Sequence, residues 1–117
     1  MTYAGGMSDA EMTPEPVAEF DGYRIDREFA EDAGRYVVTR DGEEVGYTAY
    51  LRDTVREVSL FMSTFIVPEH RVPGLANLLV DTAVRERVAA GDGIEAPCSF
   101  VAARLDRVPE LLAPRRP

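Results

Sequence analysis

The chain has 117 residues, 45% of them hydrophobic and 29% charged, which is the length of one globular domain and too little for two. Thirteen basic residues stand against 21 acidic ones, a net charge of −8, so the basic footprint that nucleic-acid binding needs is missing. The single cysteine, Cys98, excludes an intrachain disulfide, and with only one histidine, His70, no zinc site is expected. No apolar run is long enough to span a membrane, and the N-terminus has neither the basic nor the apolar region of a secretory signal; the default expectation is a cytoplasmic protein. Net acidity favours a cationic partner such as an amine or basic peptide, although solubility alone also explains it. All the basic residues are arginine, which reads as compositional bias.

Residues 1–20 read as a disordered tail: they carry Gly5-Gly6, Pro14 and Pro16, four acidic residues and no basic one, without helical or strand period. The folded domain is expected over 21–113, with 114–117 a short polar exit. A strand over Tyr23–Phe29 is weakly indicated. The clearest local signal is Arg35–Leu51, where two β-rich runs flank Asp41-Gly42, the dipeptide of a two-residue type I′ hairpin. That turn predicts the pairs Arg40/Glu43, Val38/Val45 and Tyr36/Tyr47, with Tyr36, Val38, Val45 and Tyr47 on one face. A looser turn at 52–56 leads into a strand over Glu57–Val67. Its alternation sets Val58, Leu60 and Met62 against Ser59, Phe61, Ser63 and Phe65.

The pattern then changes to helical. Gly74–Ala90 is proline-free, with Leu75/Leu79 and Val80/Val84/Val88 at i,i+4 spacing, Pro73 at its start and Gly91 at its end. Ile94–Cys98 reads as a short strand and Phe100–Arg107 as a second helix, with Val101, Leu105 and Val108 along one side. Strand, helix and strand make one βαβ unit, with Ile94–Cys98 parallel to Glu57–Val67. The fold class is α+β: a mixed sheet, antiparallel first and then parallel.

The junction of the long strand and its helix reads Arg71-Val72-Pro73-Gly74-Leu75-Ala76. Gly74 permits a tight turn and close approach of a ligand, and the first helical turn offers unpaired N–H groups to an anion. This stretch resembles the acyl-coenzyme-A-binding signature (Q/R-x-x-G-x-G/A) of the GCN5-related N-acetyltransferases. The segment Pro97-Cys98-Ser99-Phe100-Val101 is similar to the Cys-Pro-Phe-type segment of that family's very small members. The resemblance runs from about Arg35 to Leu112.

It implies a GNAT-like fold with a splayed parallel pair of strands, and acetyl-CoA or another acyl-CoA as cosubstrate, its acyl group passing to an amine, a basic peptide or a polyamine. The backbones of Phe65, Ile66 and Val67 would face the pantetheine arm. The N–H groups of Val72, Gly74, Leu75 and Ala76 would cradle the pyrophosphate, with Arg71 adding charge. Cys98, before a helix, is a candidate nucleophile, and Glu69 a candidate base. Backbone N–H groups at a strand bulge would stabilise developing negative charge. The small relatives carry histidines where this chain has Ser63 and Val108, and an aromatic at Arg104. Those positions leave open a second reading, a non-catalytic acyl-CoA-binding or protein-interaction module. An RNA-binding α+β domain is disfavoured by charge and by the lack of paired surface aromatics on the predicted strands.

Overall fold

The computed structural model describes residues 15–112. Six strands, β1 (Glu15–Phe20), β2 (Tyr23–Phe29), β3 (Ala33–Arg40), β4 (Glu43–Asp53), β5 (Val58–Ile66) and β6 (Gly93–Glu95), form one sheet in chain order. All neighbours are antiparallel except β5 and β6, which are parallel. The crossover between them carries helix α1 (Leu75–Ala89), and helix α2 (Ser99–Arg107) follows β6. Short 3-10 turns at Pro68–His70 and Pro109–Leu112 complete the fold. The expected α+β mixed sheet with one βαβ unit is what forms.

Two Asp-Gly turns set the first half of the sheet. At Asp41-Gly42 both residues have positive φ, 53° and 82°, and Arg40 pairs with Glu43 as the sequence predicts. Asp21-Gly22 does the same at 51° and 87°, joining β1 to β2. Here the reading of residues 1–20 as a tail needs correction, because 15–20 are a strand. Val17, Ala18 and Phe20 pack against the core. Residues 1–14 and 113–117 lie outside the described residues, so the rest of both expected tails does too.

Two bulges correct the expected alternation. Thr39 pairs with Glu44 but Val38 with Gly46, so Val45 is an extra residue and Tyr36 meets Thr48 instead of Tyr47. Tyr47 therefore leaves the face of Tyr36 and stacks at 6.5 Å on Phe65. In the next pair Ala49 faces Ser63 and Tyr50 faces Phe61, which makes Met62 the extra residue. Ser59 and Phe61 are buried as one face predicts. Beyond Met62 the phase flips: Ile66 is buried, whereas Ser63 and Phe65 are exposed.

Helix α1 begins after Gly74, whose φ of 87° is left-handed, one residue inside the expected start. It ends in a Schellman motif: Gly91 N–H donates to Val88 C=O at 2.9 Å and Asp92 N–H to Arg87 C=O at 3.0 Å. Leu75, Leu79, Val80, Ala83 and Val84 meet Tyr23, Ile25, Tyr36, Val38, Tyr50, Phe61 and Ile66 of the sheet, with Val101 of α2 and Leu111 closing the core. Arg104 of α2 makes a two-pronged ion pair to Asp81 of α1, both contacts 2.8 Å, so this side chain joins the helices.

Candidate functional site

β6 is shorter than the sequence suggests. It ends at Glu95 instead of Cys98, since Pro97 has no N–H for a ladder. The pairing stops at Leu60/Glu95, followed by one more bond, Cys98 N–H to Phe61 C=O at 2.9 Å. Beyond Phe61 the β6-facing edge of β5 has no strand partner among the described residues, and the chain turns away into α2. A cleft of about 390 Å³ opens at this edge, lined by Thr64, Phe65, Ile66, Arg71, Val72, Ala76 and Phe100.

Five of the sequence-predicted ligand residues thus meet in one cleft: Phe65, Ile66, Arg71, Val72 and Ala76. The other three differ. Val67 is engaged at both ends of its backbone, its N–H donating to Val45 C=O at 2.8 Å and its C=O accepting from His70 N–H at 2.9 Å. Leu75 turns its side chain into the core and its N–H toward Val72 C=O, 3.3 Å away. Gly74 caps α1 outside the cleft lining. Among the loop N–H groups Val72 is also occupied, donating to His70 C=O at 2.9 Å. The N–H groups of Gly74, Ala76 and Asn77 have no partner among the described residues. Those three, at the positive end of α1, are the ones open to an anion.

Arg71 lies along the wall, its Nε donating to Ile66 C=O at 2.6 Å and its guanidinium 5.4 Å from the Phe65 ring centroid. That bond fixes the charge at the loop end of the cleft and uses one of the exposed backbone acceptors of β5. Behind the wall, Thr48 is fully buried and its hydroxyl meets Thr64 Oγ1 at 2.8 Å and Ser63 C=O at 3.4 Å. Cys98 Sγ stands 3.5 Å from Thr64 Oγ1. A carbonyl only accepts, so the donors run in one direction: Cys98 thiol to Thr64, Thr64 to Thr48, Thr48 to Ser63. This arrangement engages the thiol as a hydrogen-bond donor.

Glu69 is exposed in the 3-10 turn and does not line the cleft. His70 is half-buried and accepts or donates at Nδ1 with Tyr23 Oη, 2.9 Å away. Its ring meets the Tyr23 ring edge-on at 5.7 Å. Sequence reasoning missed Phe100 as a wall of the cleft, although it stands two residues past Cys98 in the segment that carries the family resemblance. Thr64 was passed over too. Its value depends on Thr48, sixteen residues away, and only the bulged register brings them together.

The model of the family described as GCN5-related N-acetyl-transferase matches residues 35–113. The chain belongs to that family. The GNAT match takes in the hairpin, the cleft, both helices and the cysteine segment, and β1 and β2 lie outside it. No curated protein matches the chain significantly. Among solved structures it is similar to nourseothricin acetyltransferase, at 16% identity and a TM-score of 0.46, covering 80% of this chain and 69% of that one.

Proposed function

We propose that this GNAT protein binds acetyl-CoA or another acyl-CoA in the cleft beside β5 and transfers the acyl group to an amine. The observation that carries the reading is the edge of β5 beyond Phe61, unpaired among the described residues and opening into a cleft that reaches Ala76 in the first turn of α1. A pantetheine arm alternates methylenes and amides, and the lining fits that chemistry: Phe65, Phe100, Val72 and Ala76 are apolar, and a strand edge supplies amide partners. Gly74, Ala76 and Asn77 N–H groups, with Arg71, suit the pyrophosphate. The cosubstrate would bring an activated thioester, and the chain's own part is to hold and orient it.

The amine has to be neutral to attack, and among the described residues no histidine or carboxylate lines the cleft. Its proton therefore goes to solvent, and catalysis rests on positioning. Cys98 and Glu69 are left without a direct part in this reading. Calorimetric titration with acetyl-CoA, followed by mass analysis of a polyamine and a basic peptide incubated with both, tests it: binding with product supports it, and no binding ends it. A specific observation favours the second reading, a non-catalytic acyl-CoA-binding module: Ser63 is exposed, and among the described residues the cleft lining holds no histidine or carboxylate. Binding without any acylated product would establish that reading.

A further inference from the structure

The family match begins at residue 35, so the β1–β2 hairpin stands before the matched region. That hairpin reaches the loop between β5 and α1 at two points. Tyr23, the first residue of β2, is 5% exposed, and its Oη lies 2.9 Å from His70 Nδ1 with the two rings edge-on. Phe20, the last residue of β1, lies against Gly74: a Cβ there would stand 3.6 Å from Phe20 Cζ, an ordinary packing distance. Tyr23 is itself held from behind. The Arg40 guanidinium lies 4.5 Å from its ring centroid, and Arg40 Nη1 donates to Asp21 C=O at 3.1 Å in the β1–β2 turn.

The loop has little else to hold it. None of residues 67–74 is buried, and Pro68, Glu69, Arg71, Pro73 and Gly74 are exposed. Its backbone bonds are short-range ones, such as Arg71 N–H to Pro68 C=O at 3.3 Å and Val72 N–H to His70 C=O at 2.9 Å. Arg71 and Val72, the two residues after His70, line the large cleft, and Gly74 leads into the first turn of α1. A backbone fixed at His70 therefore fixes the groups that follow it. Either the phenol or the imidazole can donate, so the bond survives protonation of the ring.

We propose that Tyr23 and His70 are a positioning pair, through which the N-terminal hairpin sets the β5–α1 loop for coenzyme A. Neither side chain touches the cofactor in this account. Their part is to order the loop before binding, so that the ligand does not have to. The inference rests on the acyl-CoA reading above and adds to it a role for a hairpin outside the family match.

Calorimetric titration of the full chain with coenzyme A tests it, beside urea unfolding of each variant. Tyr23→Phe, which keeps the ring, and His70→Ala should each raise the dissociation constant about fivefold, the net worth of one hydrogen bond. The double variant should bind no more weakly than either single one, because both remove the same bond. His70→Asn, whose amide stands where Nδ1 did, should recover most of the affinity. If the pair served stability alone, urea midpoints would fall while the dissociation constant, measured without denaturant, stayed unchanged. That result, or additive losses in the double variant, would overturn the proposal and leave the acyl-CoA reading intact. Failure of coenzyme A to bind the wild-type chain would overturn both. Should Tyr23→Phe not fold, His70→Ala and His70→Asn, at a half-buried turn position, decide the matter.

Discussion

Cys98 donates to Thr64, Thr64 to Thr48 and Thr48 to the Ser63 carbonyl, so the thiol sits at the donor end of a chain whose far end cannot donate back. A thiol used in this way is a packing and hydrogen-bonding group. Cys98→Ala should keep most of any acyltransferase turnover and lose about 1 kcal/mol of stability from a small half-buried group. A stoichiometric acetyl adduct on Cys98 in mass spectra, discharged by added amine, is the opposite result. Asp92 is the other residue with a definite consequence. Hydrogen bonds from Arg52, then from Ser59 and Arg87, outweigh its burial and hold its carboxyl well below the usual carboxylate range. The unfolded chain therefore takes up the proton first as pH falls. The contribution is complete above the unfolded value near ~4 and is lost progressively below it. Asp92→Asn should cost about 3–5 kcal/mol in urea unfolding at neutral pH, because two arginines lose their counter-charge, and should flatten the acid limb of the stability profile.

At the scale of elements, β1 changes what truncation ought to do. Its Glu15 pairs with Arg27, and Val17, Ala18 and Phe20 cover part of the core. Removing 1–22 should therefore lower the melting temperature by several degrees, with roughly 4–8 °C per kcal/mol for a domain of this size. An unchanged melting temperature would show that β1 adds nothing. The strand was hard to see because Pro16 and four acidic residues dominate its neighbourhood, and its ladder is itself irregular between Pro16 and Ala18. Yet the Asp21-Gly22 turn carried the same signal as Asp41-Gly42. Helix α1 and the loop before it were legible because a 3.6-residue period and a glycine stop leave marks in sequence. The bulges at Val45 and Met62 leave none: one extra residue alters every later facing without altering composition. Gly46 is the nearest thing to a trace, since a Cβ there would stand 2.7 Å from the Phe65 carbonyl oxygen.

For the whole molecule, the splay of β5 from β6 joins the family's chemistry to this chain's own residues. The cleft, with Ala76 at the start of α1 and Arg71 in its wall, lies on that opening, whereas Glu69 and His70 are turned elsewhere. With no histidine or carboxylate among the described residues that line the cleft, turnover should rise with pH until the amine itself is neutral, without an inflection near ~6.5, the ordinary histidine range. A bell-shaped profile with such an inflection would place an unrecognised base at the site. None of the described helices is long and apolar enough to cross a membrane. In the proposed binding mode coenzyme A thioesters lie along β5 and end on α1. Amide NMR during acetyl-CoA titration tests it most directly. Saturable shifts should concentrate at Thr64–Ile66, Arg71–Val72 and Gly74–Asn77. Saturation with residues 64–77 unmoved would contradict it.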